Sequence, residues 1–373
     1  MRGRFNRAGR TTSRRWITVV AAISALALLA AAASASVDSR APSSTAGGGS
    51  AEIAVLLPDS KSSVRWETQD RRFLGAAFKA AGVSYSIVNA ENSAQTQRTQ
   101  AEQAITNGAK VILLVNLDSG SGAAIQALAK ARGVKTIDYD RLTLKGSASY
   151  YVSFNNVKVG ELQGRGLVAC LRASGKYSAK PLIAELNGAP TDNNATLFEQ
   201  GSDKILDPLY KRGVFTKGPD QPVPQWDNQR ALQIFEQMLQ RTGNKIQGVL
   251  AANDGLGNAA ISALKARKIK GVPVTGQDAT AQGVQNIIAG DQCMTVYKGI
   301  KAQAAAAAKL AIALLRNRPA PGVNGKTFDG RRQVPSVLLT PVTITKRNWE
   351  VLVREGFLKR SAVCVGAYRR FCS

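Results

Sequence analysis

The chain has 373 residues, with 50 Lys+Arg against 25 Asp+Glu for a formal charge of +25, and it contains no histidine. A length of this order fits two or three domains. A 44% hydrophobic content with only 13 prolines describes a globular chain rather than a disordered or collagen-like one. The missing imidazole excludes Ser-His-Asp triads, Cys-His dyads and histidine-ligated zinc.

Ahead of residue 36 stand six arginines (Arg2, Arg4, Arg7, Arg10, Arg14, Arg15) and no acid, then the apolar run Trp16 to Ala33 and the triplet Ala33-Ser34-Ala35. Basic, apolar, A-x-A is the order of a secretory signal, so residues 1–35 are expected to direct export and be cleaved. The apolar run is also just long enough to be read as a retained anchor. Residues 36–50 are small and polar and read as a flexible linker. An exported chain meets an oxidising compartment. Its four cysteines, at 170, 293, 364 and 372, permit three pairings, of which Cys364–Cys372 is the one expected because it closes a short loop in the basic tail, residues 361–373.

Without residues 1–35 the chain keeps 44 basic against 25 acidic residues, a charge of +19. These cations are scattered over predicted helix faces, dense only over 346–373, and no recognition-helix or RNA-reading motif accompanies them. A solvated basic surface is expected, not a nucleic-acid partner.

From residue 51, apolar strand-like runs at 53–57, 111–115, 134–138, 150–154, 182–186, 247–252, 272–275 and 294–297 alternate with helix-like segments at 68–81, 94–107, 121–132, 157–172, 195–211, 229–241, 256–267, 280–289 and 300–316. In 68–81, Phe73, Ala76, Ala77 and Ala80 share one face at helical spacing. Unbroken apolar strands alternating with helices predict an α/β architecture, parallel sheets covered on both faces. Eight such strands exceed one small sheet, and pauses near 155, 292 and 335 suggest two lobes of similar plan joined by several crossings. In open α/β sheets the ligand lies beyond the carboxyl ends of the strands, and there the charged and amide residues of this sequence collect. Asp, Asn, Arg and Lys pair with vicinal hydroxyls, and tryptophan lies against a sugar's C–H face. Neither phosphate-binding glycine motif, G-x-x-x-x-G-K-[ST] or G-x-G-x-x-G after a strand, is present.

At these strand exits stand R-W-E at 65–67, D-Y-D-R at 138–141, Y-V-S-F-N-N-V-K-V-G-E-L-Q at 151–163, P-T-D-N-N-A-T-L-F at 190–198, A-N-D at 252–254, T-G-Q-D-A at 275–279 and M-T-V-Y-K at 294–298. In this order they make residues 51–360 resemble the periplasmic pentose- and hexose-binding proteins of the D-xylose-binding type, the solute-binding subunits of ATP-binding-cassette importers. The resemblance implies a type I periplasmic-binding fold of two Rossmann-like lobes joined by three hinge crossings, closing on one monosaccharide. The lobes would be 51–154 with 298–333, and 155–297 with 334–360. Carried over motif by motif, the ligand contacts would be Arg65, Trp66, Asp140, Arg141, Asp192, Asn194, Trp226, Asn253, Asp278 and Lys298, with Trp226 covering the sugar ring. Asn193 would be a pure helix cap.

The implied function is non-covalent capture of a monosaccharide, D-xylose or a related sugar, outside the cytoplasmic membrane by a monomer that delivers it to an importer permease. No cofactor, metal or nucleic acid is implied. A sugar sensor read by a membrane kinase or receptor shares every binding feature and stands as the alternative. Glycoside hydrolysis by a pair among Asp140, Asp192 and Asp278 is disfavoured. Neighbouring Arg and Lys lower carboxylate pKa values and work against a protonated general acid.

Overall fold

The computed structural model describes residues 51–372. The expected export signal and linker, 1–50, lie outside the described residues. Among the described residues no helix is long and apolar enough to cross a membrane.

The first lobe is built on a seven-stranded sheet. Its strands are β1 (Ile53–Leu57), β2 (Tyr85–Asn89), β3 (Val111–Leu114), β4 (Lys135–Tyr139), β5 (Tyr150–Phe154), β10 (Gly325–Phe328) and β11 (Gln333–Leu339), in the spatial order β10-β11-β5-β4-β3-β1-β2. All pairings are parallel except β10 with β11. Alternate residues of β1 and β3 serve opposite faces: Ile53, Val55, Leu57, Val111 and Leu113 join one core cluster, and Ala54, Leu56, Ile112 and Leu114 another. Both faces are therefore dry, which is why these strands read as unbroken apolar runs.

Helix α1 (Arg71–Ala80) follows a π-helical turn at Trp66–Asp70. It buries Leu74, Gly75 and Phe78, not the expected face of Phe73, Ala76, Ala77 and Ala80. Leucine and phenylalanine remove far more apolar area from water than alanine, so they set the helix's rotation. Helices α2 (Ala94–Thr106) and α3 (Ser119–Ala131) cover the same sheet, as does α9 (Ile300–Leu315), which returns to the first lobe late in the chain.

The second lobe holds α4 (Asn156–Ala173), β6 (Leu182–Asn187), α5 (Asn193–Lys211), β7 (Thr216–Pro222), α6 (Asn228–Arg241), β8 (Gly248–Ala251), α7 (Asp254–Ala266), α8 (Ala281–Ala289), β9 (Thr295–Tyr297) and β12 (Val342–Ile344). Its parallel sheet runs β7-β6-β8. Single parallel bridges, Val249 with Val274 and Gln277 with Val296, carry it on to β9 and β12. The expected strand at 272–275 is only the first of those bridges, because Pro273 has no N–H to extend the ladder.

The chain crosses between lobes three times: at Asn155 between β5 and α4, at Lys298-Gly299 between β9 and α9, and at 340–341 between β11 and β12. The third crossing falls later than the expected boundary at 333/334. Residues 336–339 pair in parallel with β5 and so belong to the first sheet, and Pro335 precedes that pairing. Cys170–Cys293 and Cys364–Cys372 are both bonded. The segment after β12 packs Trp349, Leu352, Phe357 and Val363 against Val284 and Ile288 of α8.

Candidate functional site

All ten residues expected at the site line one cavity between the lobes, together with Ser62, Ser63, Phe198 and Gln277. The non-atom space between these side chains is ≈ 340 Å³, open solvent at its mouth included.

Arg65 precedes the π-helical turn and is almost wholly buried. Its Nε and Nη2 donate to the two carboxylate oxygens of Asp70 (2.9 and 2.8 Å), Nη2 also to Gln303 Oε1 (2.8 Å), and Nη1 to Asp140 Oδ2 (2.8 Å). A guanidinium carries five donors, so one Nη1 hydrogen remains for the cavity. The Arg65 guanidinium lies 4.4 Å from the Trp66 ring centroid and that of Arg141 lies 5.7 Å away, so Trp66 is a wall held by cations.

Asp140, just past β4, has φ 67°. Its carbonyl accepts from Tyr151 Oη (3.0 Å), Ser153 Oγ (2.8 Å) and Asn194 Nδ2 (3.1 Å), which hold that conformation. Burial alone would raise its pKa, but Arg65, Lys298 and Arg141 outweigh it and hold the carboxylate at about 2. Gln225 and Trp226 (φ 58° and 56°) and Asp278 and Ala279 (92° and 49°) are also left-handed. Such residues cost about 1–3 kcal/mol each and collect where a side chain must be aimed.

Asp192 is the N-cap of α5: its Oδ1 accepts from the backbone N–H of Asn194 at 2.9 Å. The cap is thus Asp192, not Asn193, which is the first residue of the helix. Asp192 Oδ2 pairs with Arg141 Nε at 3.1 Å and accepts from Trp226 Nε1 at 3.2 Å. Asn194 reaches back to Asp140 and accepts from Asn156 Nδ2 at 2.8 Å. Asn253 caps α7 through Oδ1, to Leu256 N at 2.9 Å, leaving its amide N–H groups as what it can offer the cavity. Lys298, in the second crossing, pairs with Asp278 at 3.2 Å and sits 5.7 Å from the Phe198 ring centroid.

Trp226 is buried and meets Phe198 edge-on, centroids 6.4 Å apart. A Cβ on Gly188 would overlap the Trp226 ring, so glycine there is what lets the indole sit against β6's exit. Arg65, Arg141 and Lys298 are the lining cations, and Asp140, Asp192 and Asp278 the lining anions. The charges balance, and the site is suited to a neutral, hydroxyl-rich molecule. It offers no excess positive charge for a phosphate or a sugar acid.

Residues 53–319 match the family model described as a periplasmic binding protein domain. The chain belongs to the periplasmic binding protein family. It is 36% identical over 299 residues to the D-xylose-binding periplasmic protein of Escherichia coli K12, covering 80% of this chain and 88% of that one. It is 34% identical to a multiple sugar-binding periplasmic protein of Azospirillum brasilense, covering 82% and 89%. Among solved structures, a Clostridium phytofermentans ABC transporter solute-binding protein with bound β-D-glucose superposes with TM-score 0.78 at 29% identity, over 83% of this chain and 99% of that one. A Chloroflexus aurantiacus carbohydrate transporter solute-binding protein in complex with D-glucose gives 0.76 at 30%, over 84% and 98%. The fold is the type I periplasmic-binding fold, and the family is one of non-catalytic binding proteins for ABC sugar transport.

Four lining residues of this family member were not singled out from sequence. Phe198 and Gln277 stand inside quoted motifs, the first five residues past the start of α5 at Asn193 and the second immediately before Asp278, where an apolar or amide residue carries no signal of its own. Ser62 and Ser63 lie in a serine-rich loop, and only the fold turns them inward.

Proposed function

We propose that this protein is exported and captures one neutral monosaccharide, a pentose such as D-xylose or a related hexose, by lobe closure. It acts as a monomer in the periplasm or on the outer face of the cytoplasmic membrane and presents the closed form to an importer permease. The observation that carries this reading is the charge-balanced cavity whose two halves belong to different lobes. Arg65, Trp66, Asp140 and Arg141 come from the first, Asp192, Asn194, Trp226, Asn253 and Asp278 from the second, and Lys298 from a crossing between them. A sugar touching both halves favours the closed form by the free energy it gains only there. Charged partners strengthen each hydroxyl hydrogen bond, and the Trp226 face supplies apolar contact to ring C–H groups. The sugar specificities carried in the names of the relatives support the ligand class.

A thermal-shift screen of residues 37–373 against pentoses, hexoses, sugar acids and sugar phosphates tests this. A ligand that binds only the folded state raises the melting temperature by mass action. A rise with a neutral monosaccharide is expected, and a response confined to the anionic sugars would overturn the reading.

A further inference from the structure

Gln277 is 2% exposed, yet its side-chain oxygen has no hydrogen-bond partner within the protein. Buried polar atoms are almost always paired, and one that is not calls for an explanation. Its position supplies one, because Gln277 lines the cavity between the lobes. The orientation of the amide is fixed from behind. Gln277 Nε2 donates to the Ala252 carbonyl at 3.2 Å, and turning the amide over would set oxygen against oxygen, so Oε1 is the amide atom left unpaired in a residue that lines the cavity. The backbone is equally constrained: the Gln277 carbonyl accepts from Asp254 N at 2.9 Å, and the residue bridges to Val296 of β9.

We infer that Gln277 is a ligand-contacting, specificity-determining residue that accepts a hydrogen bond from one particular hydroxyl of the bound sugar. The inference rests on the sugar-site reading above and adds to it a neutral acceptor of fixed direction beside Asp278. A carboxylate accepts from either oxygen over a wide range of directions. An amide held by its nitrogen accepts at one atom, so it discriminates between sugars that differ in a single hydroxyl. A site built to hydrogen-bond a hydroxyl rejects the analogue that lacks it more strongly than an apolar pocket rejects an added group.

The test is Gln277→Met, which keeps the side chain's length and removes the acceptor. Loss of the Nε2 bond does not orphan the Ala252 carbonyl, which also accepts from Gln163 Nε2 at 3.0 Å. Calorimetry is run on wild type and variant with D-xylose, with D-glucose, and with the monodeoxy analogues of whichever binds. The variant is expected to bind the parent sugar at least tenfold more weakly, and to match wild type for the one analogue lacking the hydroxyl that Gln277 reads. Equal affinity of the two proteins for the parent sugar overturns the inference, as does the same loss for every analogue, which a structural role would give. If wild type binds neither D-xylose nor D-glucose nor any other neutral monosaccharide, the sugar-site reading fails and the inference fails with it.

Discussion

Arg141, on the loop after β4, and Asp192, at the N-terminus of α5, form an ion pair across the cleft at 3.1 Å with both side chains buried. The pair exists only while the lobes are together. Asp192 also receives the Trp226 indole N–H, so one carboxylate joins lobe closure to the position of the aromatic wall. Asp192→Asn retains a good helix cap and loses the charge facing Arg141. Truncating one partner of a buried charge pair costs about 2–5 kcal/mol, and the monosaccharide Kd is expected to rise at least ~30-fold. Small-angle scattering should then show the variant remaining extended at sugar concentrations that close the wild type. An unchanged Kd would mean that the pair does not contribute to the closed form.

Trp226 and Gly188 are a matched pair, because the indole fills the place a β-carbon on Gly188 would need. Trp226→Ala should weaken sugar binding by about 1–3 kcal/mol, the scale of an aromatic anchor. Gly188→Ala should weaken it as well, with no ligand group removed, since overpacking displaces the ring. Indole fluorescence follows both the displacement and the titration. If Gly188→Ala binds as wild type does, the ring's placement is not what the site needs.

How much of this was legible beforehand follows from burial. The central strands β1, β3, β4, β5, β6 and β8 are apolar because both faces are covered, and periodicity finds them. Strands β2, β7 and β10 lie at sheet edges. Thr216–Pro222 in particular contains no aliphatic residue, so nothing in its pattern separates it from a loop. The polar residues at strand exits were legible as a group, and motif order placed ten of them around one cavity. Which of them hold one another was not legible. That Asp192 grips Arg141 and Trp226, or that Arg65 commits four donors to Asp70, Asp140 and Gln303, depends on approaches between residues up to 238 positions apart in the chain.

Stability should depend on pH through three carboxyl groups outside the cavity lining. Burial pushes Asp138, Glu185 and Asp254 up to about 7, against about 4 for the same groups unfolded. A raised carboxyl pKa means that the folded state binds more protons over this interval. The stabilisation is complete below pH ~4 and is lost as pH rises through ~7. Asp140 acts in the opposite sense: held at about 2, it stabilises above pH ~4 and ceases to as pH falls through ~2. The melting temperature is therefore expected to be higher at pH 5 than at pH 8, by several degrees on the scale of about 2–4 °C per kcal/mol. Asp254→Asn, which mimics the protonated group, should flatten that slope. A melting temperature that climbs between pH 5 and 8 would contradict the buried-carboxyl account.

The central claim is that a charge-balanced cleft closes on a neutral sugar, and isothermal titration of residues 37–373 addresses it directly. The titrants are D-xylose, D-glucose, D-glucuronate and D-glucose 6-phosphate at physiological salt. The account predicts one-to-one binding of at least one neutral sugar and no measurable binding of the two anions, because Asp140, Asp192 and Asp278 already neutralise Arg65, Arg141 and Lys298. Binding of glucuronate or the phosphate ester in preference to both neutral sugars would contradict it.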